Sequence, residues 1–209
     1  MQQELLPLFP LHLVLFPRTP VALHIFEERY KEMIGEAIEQ NTEFGIVLAN
    51  DQGIVNTGCT AVVDKVVEKY EDGRMDIIAV GRRRFEILEL DNEREYLRGA
   101  VQFFDDEDDA AVPSEFRDQM LAKYGEIQKL DPNSSLLDPE FSDAHLSFQI
   151  AHVVTDLNMR QMLLTSRSEI ERLRRLGAHF PALLRQRQEV AKVRHSASTN
   201  GHGKHPTGL

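Results

Sequence analysis

The apolar residues of this chain change their spacing once, and that change fixes the order in which the structure is built. Up to residue 104 they fall mainly in short alternating runs, whereas beyond the acidic stretch Asp105-Asp106-Glu107-Asp108-Asp109 they recur at intervals of three and four. Alternation by two sends successive side chains to opposite faces of a sheet, and spacing by three and four gathers them on one face of a helix. The fold class expected is therefore α+β, with strands first and helices second. Residues 1–104 form the β subdomain, 105–112 an acidic linker, 113–194 a helical subdomain and 195–209 a disordered tail rich in Gly, Ser and His.

The N-terminal run "LPLFPLHLVLFP" (6–17) has no basic start and no small-residue cleavage site, so it does not read as a secretion signal. Its prolines interrupt a stretch shorter than the roughly 20 apolar residues of a membrane span. Leu11, Leu13 and Leu15 alternate with His12, Val14 and Phe16, which predicts a first strand bounded by prolines, with Leu13 facing inward. The one early helix covers roughly 27–40, where Phe26, Tyr30, Met33/Ile34 and Ala37/Ile38 recur at helical spacing and Asn41 ends it. Strands follow in "FGIVLA" (44–49), "TAVVDKVVEKY" (60–70), "MDIIAVGRRRFEILEL" (75–90) and "YLRGAVQFF" (96–104). Asp72-Gly73 marks a hairpin turn and Gly81 a bulge that curls the sheet.

In the second half, Phe116, Met120, Tyr124 and Ile127 mark one helix, and Asp138-Pro139 opens another that carries Phe141, Leu146, Phe148, Ile150 and Val153/Val154. Asn158 is the expected cap of a short turn, "MRQMLL". Ser168 and Glu171 form a capping box for a last helix, in which Pro181 predicts a kink or restart.

Composition narrows the function classes. Hydrophobic content of 42% supports a sizeable core, and the single cysteine excludes an internal disulfide, which together with the absence of a signal or span predicts a cytoplasmic protein. The net charge of −10 hides an asymmetry, because residues 172–209 carry eight Lys/Arg against the single Glu189. The rest of the body is more acidic than the total implies and repels phosphate backbones. No G-x-x-x-x-G-K-[ST] cradle and no G-x-S-x-G elbow occur. Cys59 reads as a buried inert thiol rather than a nucleophile. His145 and His152, seven apart on one predicted helix, make too small a ligand set for a metal, and the acidic run lacks the spacing of a calcium loop. No metal and no cofactor are expected. In "GRRRF" (81–85) at least one arginine must face away from the others.

Several strings in order, "LPLFPLHLVLFP", "LHIFEERY" (23–30), "FGIVL" (44–48), "DGRMDIIAVGRRRFEI" (72–87), "YLRGAV" (96–101) and "RQMLL...ERLRRL" (160–176), resemble the N-terminal substrate-binding domain of the ATP-dependent Lon protease and its stand-alone relatives. The resemblance implies a six-stranded pseudo-barrel related to RNA-binding PUA folds, with the helix of Tyr30 packed on it and a helical bundle behind. Arg18 stands where the family usually has glycine, which puts a tight turn at 17–20 in question, and Glu28 stands where proline is frequent. The ATPase and protease modules of the full protease do not fit in 209 residues. The resemblance therefore implies a non-catalytic module that binds unfolded or tagged polypeptides, or adapts a partner protease or chaperone to them. Its site is expected in a groove between barrel and first helix, at Phe16, Arg18, Phe26, Arg29 and Tyr30. Core roles compete for Phe26, Tyr30 and Phe85, and Arg29 and Arg84 also suit holding helix and sheet together. The alternatives are an RNA-binding protein that uses Arg82 to Arg84, or a small hydrolase.

Overall fold

In the computed structural model the described residues are 5–107, 111–130 and 145–200, with side chains described as far as Val193. Six strands, β1 (Leu6–Leu11), β2 (Pro20–Ile25), β3 (Phe44–Asn50), β4 (Gly53–Lys69), β5 (Met75–Asp91) and β6 (Arg98–Phe104), form one mixed sheet in the order β2-β5-β4-β3-β1-β6. A further pairing of β5 with β6 closes all but β2 into a ring. Helix α1 (Glu28–Gln40) sits between β2 and β3, and α2 (Ser114–Lys129), α3 (Leu146–Ile150), α4 (Leu157–Thr165) and α5 (Glu169–Asn200) pack together after the barrel. The architecture is the α+β pseudo-barrel with helices.

The first strand differs from the sequence expectation: it is Leu6–Leu11 and holds Pro7 and Pro10 inside it, while Val14, Leu15 and Phe16 are buried beyond its end. The prolines fit because neither ladder runs the full strand. Leu8 donates its N–H to Leu97 O on the β6 side, so the nitrogens of Pro7 and Pro10 face the β3 and β6 sides respectively. Pairing with β3 starts only at Leu8, and pairing with β6 stops at Pro7, so neither missing N–H is needed. Leu13 is only partly buried, at the margin of the main core.

The ring closes around one aromatic ring. Phe85 is fully buried with Leu8, Val47 and Ile87 in a small separate core, and glycines make the space for it. A Cβ on Gly45 would lie 2.7 Å from the Phe85 ring, and one on Gly58 would lie 2.6 Å from it and from the Ile46 carbonyl oxygen. The larger core lies outside the ring, where Phe9, Ile34 and Phe44 of the barrel and α1 share one cluster with Tyr124, Phe148, Leu163, Leu173 and Phe180 of the helices.

Local signals behave as their chemistry dictates. Asn41 adopts φ 52° and ψ 47° and closes α1 in the left-handed conformation. Gly73, at φ 83°, turns β4 into β5, with Tyr70 N–H donating to Arg74 O. Next to Gly81, Cys59 pairs with Arg84 but Ala61 pairs with Gly81, so β5 carries one extra residue there. Thr60 Oγ1 accepts from Arg83 N and donates to Arg83 O, satisfying the bulged backbone. The cap of α4 is Asp156, not Asn158: its Oδ1 accepts from the N–H groups of Asn158 and Met159. Ser168 Oγ accepts from Glu171 N, as the capping box predicts. The last helix runs through Pro181 without a restart, and it continues to Asn200, past the boundary expected at 194. Asp138, Pro139 and Phe141 lie outside the described residues.

Two glycine variants separate the barrel's steric demand from ordinary propensity. Gly58→Ala is expected to cost about 1–3 kcal/mol by overpacking the ring. Gly35→Ala, in α1 with nothing within 4 Å of the added methyl, is expected to gain up to about 1 kcal/mol. Urea unfolding of both proteins checks this, and equal midpoints would contradict it.

Candidate functional site

The five residues expected to form a polypeptide site do not lie together. Phe16 is fully buried, its ring 5.5 Å from Phe148 and under the Arg160 guanidinium at 4.7 Å. Tyr30 is buried against Phe9 with ring centroids 4.2 Å apart, and burial is the main reason its phenol pKa is raised. Phe26 is the opposite case, 58% exposed at the end of β2. Arg29 beside it pairs with Glu27 at 2.7 Å and lies over the Tyr30 ring at 4.6 Å. Arg18 is exposed beyond the other end of β2, separated from Phe26 by the six-residue strand, itself about 17 Å long. Burial removes Phe16 and Tyr30 from the accessible surface and leaves Arg18, Phe26 and Arg29 on it.

Arg18 answers the question raised by its departure from glycine. The turn forms: Thr19 N–H and Oγ1 both donate to Phe16 O, at 3.3 and 2.8 Å, and Pro17 and Arg18 occupy its central positions. Arg18 takes φ 59°, a region an L side chain enters at a cost of roughly 1–2 kcal/mol. Arg18 N–H then donates to Gly81 O, and Gly81 N–H to Thr19 O, fixing the loop to β5 where an added Cβ would meet Phe16 O.

Near Phe26 the surface carries a polar cluster. The His24 ring stacks on Phe26 at 5.9 Å, and its Nδ1 lies 2.6 Å from Asp76 Oδ1. Tyr70 donates its hydroxyl to Asp76 and Glu68. The His24 and Tyr70 hydrogen bonds hold the Asp76 carboxyl below its usual pKa, and the bond to Asp76 is the first cause that pushes the Tyr70 phenol up to about 12.

A groove of about 570 Å³ lies between the β3–β4 hairpin and α4–α5, lined in part by Leu48, Asn50, Val55, Gln161 and Met162. Sequence reasoning missed it, since its walls come from segments about a hundred residues apart. A hollow of about 540 Å³ beside α1 is lined instead by charges, Glu28, Arg29, Lys31, Glu32 and Glu95.

The three arginines of "GRRRF" divide among different tasks. Arg83 pairs with Glu43 at 3.0 Å and covers the Phe103 ring, and only Arg82 projects without an ion pair among the described residues. Arg84 turns inward. Its guanidinium donates to Asp106 at 2.6 Å and to the carbonyls of Leu164 and Ser166. The same Asp106 receives Arg172, which is 0% exposed and also donates to Glu169 and Ser147. Glu169 in turn accepts from the Ser147 N–H and hydroxyl. Asp106, expected in a solvated linker, is thus the bridge between barrel and helices. Burial works to raise its pKa, but the hydrogen bonds and charges of Arg172 and Arg84 outweigh this and hold it below the usual carboxylate value. The pair of predicted histidines is not on one helix: His145 precedes α3, and His152 sits in the following 3-10 turn, Nδ1–H bonded to Gln149 O. Among the described residues no three potential metal ligands cluster. The Cys59 thiol is buried, which pushes its pKa to about 12 and leaves it protonated at neutral pH.

The chain is thus a near-closed barrel joined to a helical bundle, with Phe26 and Arg18 accessible beyond the two ends of its outermost strand. The chain belongs to the ATP-dependent protease La (LON) substrate-binding domain family, whose model matches residues 5–179. It is similar to the Lon protease of Parabacteroides distasonis, 29% identical over 112 residues, which are 49% of this chain but 14% of that protease. Its fold resembles a Lon N-terminal domain protein from Xanthomonas campestris, with a TM-score of 0.64 and 24% identity over 84% of this chain and 98% of the other. The N-terminal domain of the Mycobacterium avium complex Lon protease matches with a TM-score of 0.59 and 15% identity over 85% and 98%. No helix among the described residues is long and apolar enough to cross a membrane.

The buried ion cluster sets an acid limit on the fold. Removing one partner of such a set leaves uncompensated buried charge, so Asp106→Asn is expected to destabilise by about 3–5 kcal/mol at neutral pH. Because the folded pKa of Asp106 is depressed, its contribution is present above the unfolded value near 4 and lost as pH falls through the lower folded value. Urea midpoints measured against pH should show a shallower acid slope in Asp106→Asn than in the parent, and parallel slopes would contradict the assignment.

Proposed function

We propose that this chain is a non-catalytic polypeptide-binding module that captures exposed apolar segments of unfolded proteins and hands them to a proteolytic partner. The observation that carries the reading is the substrate-binding-domain match over residues 5–179. Surface chemistry supports it. Phe26 offers an exposed aromatic anchor, and Arg29 and Arg18 are exposed near one end of β2 and beyond the other. Large aromatics and arginine are the residue types that dominate recognition energy. The thiol that a hydrolase reading needs is buried and protonated. Of the arginines that an RNA reading needs, Arg83 and Arg84 are engaged with Glu43 and Asp106.

A single module without avidity binds weakly, so dissociation constants in the micromolar range are expected. Fluorescence anisotropy of a dye-labelled, reduced and carboxymethylated unfolded protein, titrated at physiological salt, tests this. Saturable association supports the reading, and no association at high micromolar concentration overturns it. Phe26→Ala should weaken binding by roughly tenfold, the effect of losing an aromatic anchor, with an unchanged melting point.

A further inference from the structure

Among the described residues several stretches of strand have a strand neighbour on one side only, and two of them, in β4 and β2, are built differently. The first is the distal half of β4, residues 62–69, which pairs with β5 on one side and has no strand on the other among the described residues, since pairing with β3 ends at Phe44↔Ala61. It carries Asp64, Lys65, Glu68 and Lys69, and its ladder is broken by irregularities between Val63 and Lys65 and between Val66 and Glu68. Charges and bulges of this kind prevent further strands from adding. The second edge is β2. It pairs with β5 alone, in unbroken register from Pro20↔Val80 to Ile25↔Met75, and carries no Lys, Arg, Asp or Glu.

The orientation of the open groups follows from one bond. Gly81 N–H donates to Thr19 O, which makes residues 19 and 81 a hydrogen-bonded pair. In an antiparallel ladder such pairs alternate, so Val21, Leu23 and Ile25 bond inward to β5 while Pro20, Ala22 and His24 face out. Pro20 has no N–H to offer, which agrees with its place on the open side. Among the described residues the N–H groups of Ala22 and His24 and the C=O groups of Pro20, Ala22 and His24 therefore have no strand partner, along an edge in unbroken register that carries no Lys, Arg, Asp or Glu. Phe26 lies exposed at one end and Arg18 at the other.

We infer that β2 is the docking edge for an extended polypeptide segment, which adds to the sheet as a further strand. The inference rests on the polypeptide-binding reading and gives it a mode. Main-chain hydrogen bonds to Ala22 and His24 recognise any extended backbone, and an apolar side chain of the guest packs on Phe26. This chemistry suits clients that share no sequence. It also disfavours folded proteins that lack an open sheet edge, because their backbone groups are already paired.

Ala22→Pro is the discriminating variant. Proline is tolerated on an edge strand where its nitrogen faces solvent, so the β2–β5 ladder survives while one outward donor is lost and the approach is blocked. Ala22→Thr changes the same side chain and keeps the backbone. With the carboxymethylated unfolded protein as probe, Ala22→Pro should weaken binding at least about tenfold, the loss of a hydrogen bond plus a steric block, and Ala22→Thr should match the parent. A second arm uses the unaltered protein and an apolar peptide of about ten residues, compared with the same peptide N-methylated at alternate positions; augmentation requires the methylated peptide to bind far more weakly. Parent-like binding by Ala22→Pro, or by the methylated peptide in both registers, would overturn the docking edge while leaving polypeptide binding intact. Failure of the parent to bind either probe would overturn both. If light scattering shows that Ala22→Pro abolishes a dimer while client binding is untouched, the edge belongs to a second copy and the inference fails.

Discussion

Four charges, three of them buried and the fourth nearly so, hold this molecule in one arrangement. Arg84 comes from the bulged part of β5, Asp106 from the segment after β6, and Glu169 and Arg172 from the first turn of α5. Their signs cancel, and the planar guanidinium of Arg172 lies 4.2 Å from the centroid of the Phe148 ring, with that of Arg84 at 5.2 Å. Burying such a set yields little net stability compared with an apolar core of equal volume. Its effect is on arrangement, because any other placement of the bundle on the barrel strands a charge without a partner. The β5 bulge is a precondition: without the extra residue that Thr60 satisfies, Arg84 would sit on the face opposite to Asp106.

Two further contacts make the same joint from other directions. Arg160 reaches across from α4 to donate to Val14 O at 2.8 Å, and burial lowers its pKa to about 10. Gln161 donates to Thr57 O on β4 at 2.9 Å. The loop that follows β1 is consequently fixed between Gly81 on one side and α4 on the other. β2 starts directly from that fixed loop, which is why its register on β5 is unbroken although that is its one strand neighbour among the described residues.

Much of the fold was legible because burial in the sheet leaves a period of two and the helices leave one of 3.6. The strands β3 and β5 and helix α1 emerge nearly at their true limits for that reason. The strand β2 was missed although Val21, Leu23 and Ile25 alternate, since a six-residue run beginning with proline carries little signal until its partner some fifty residues later is known. The opening strand was displaced because Leu11 to Phe16 alternates as well as Leu6 to Leu11. The choice between them depends on where β3 and β6 begin and end. The site was less legible still. Phe26 and Tyr30 share a helical spacing, yet Phe26 precedes the helix and escapes the core. Asp106 looked solvated among its acidic neighbours, since nothing local announces an arginine 66 residues away.

The length of α5 separates charge within the molecule. Its 32 residues extend about 48 Å, and beyond Leu184 the helix carries Arg185, Arg187 and Lys192 against one Glu189 while the barrel end is acidic. The chain is thus a macroscopic electric dipole with its positive pole at the far end of a rod. In dilute salt such a body rotates in the field of any charged neighbour before it touches it. At physiological ionic strength the torque survives only within about 8 Å, so it acts as a final alignment at contact and not as long-range attraction.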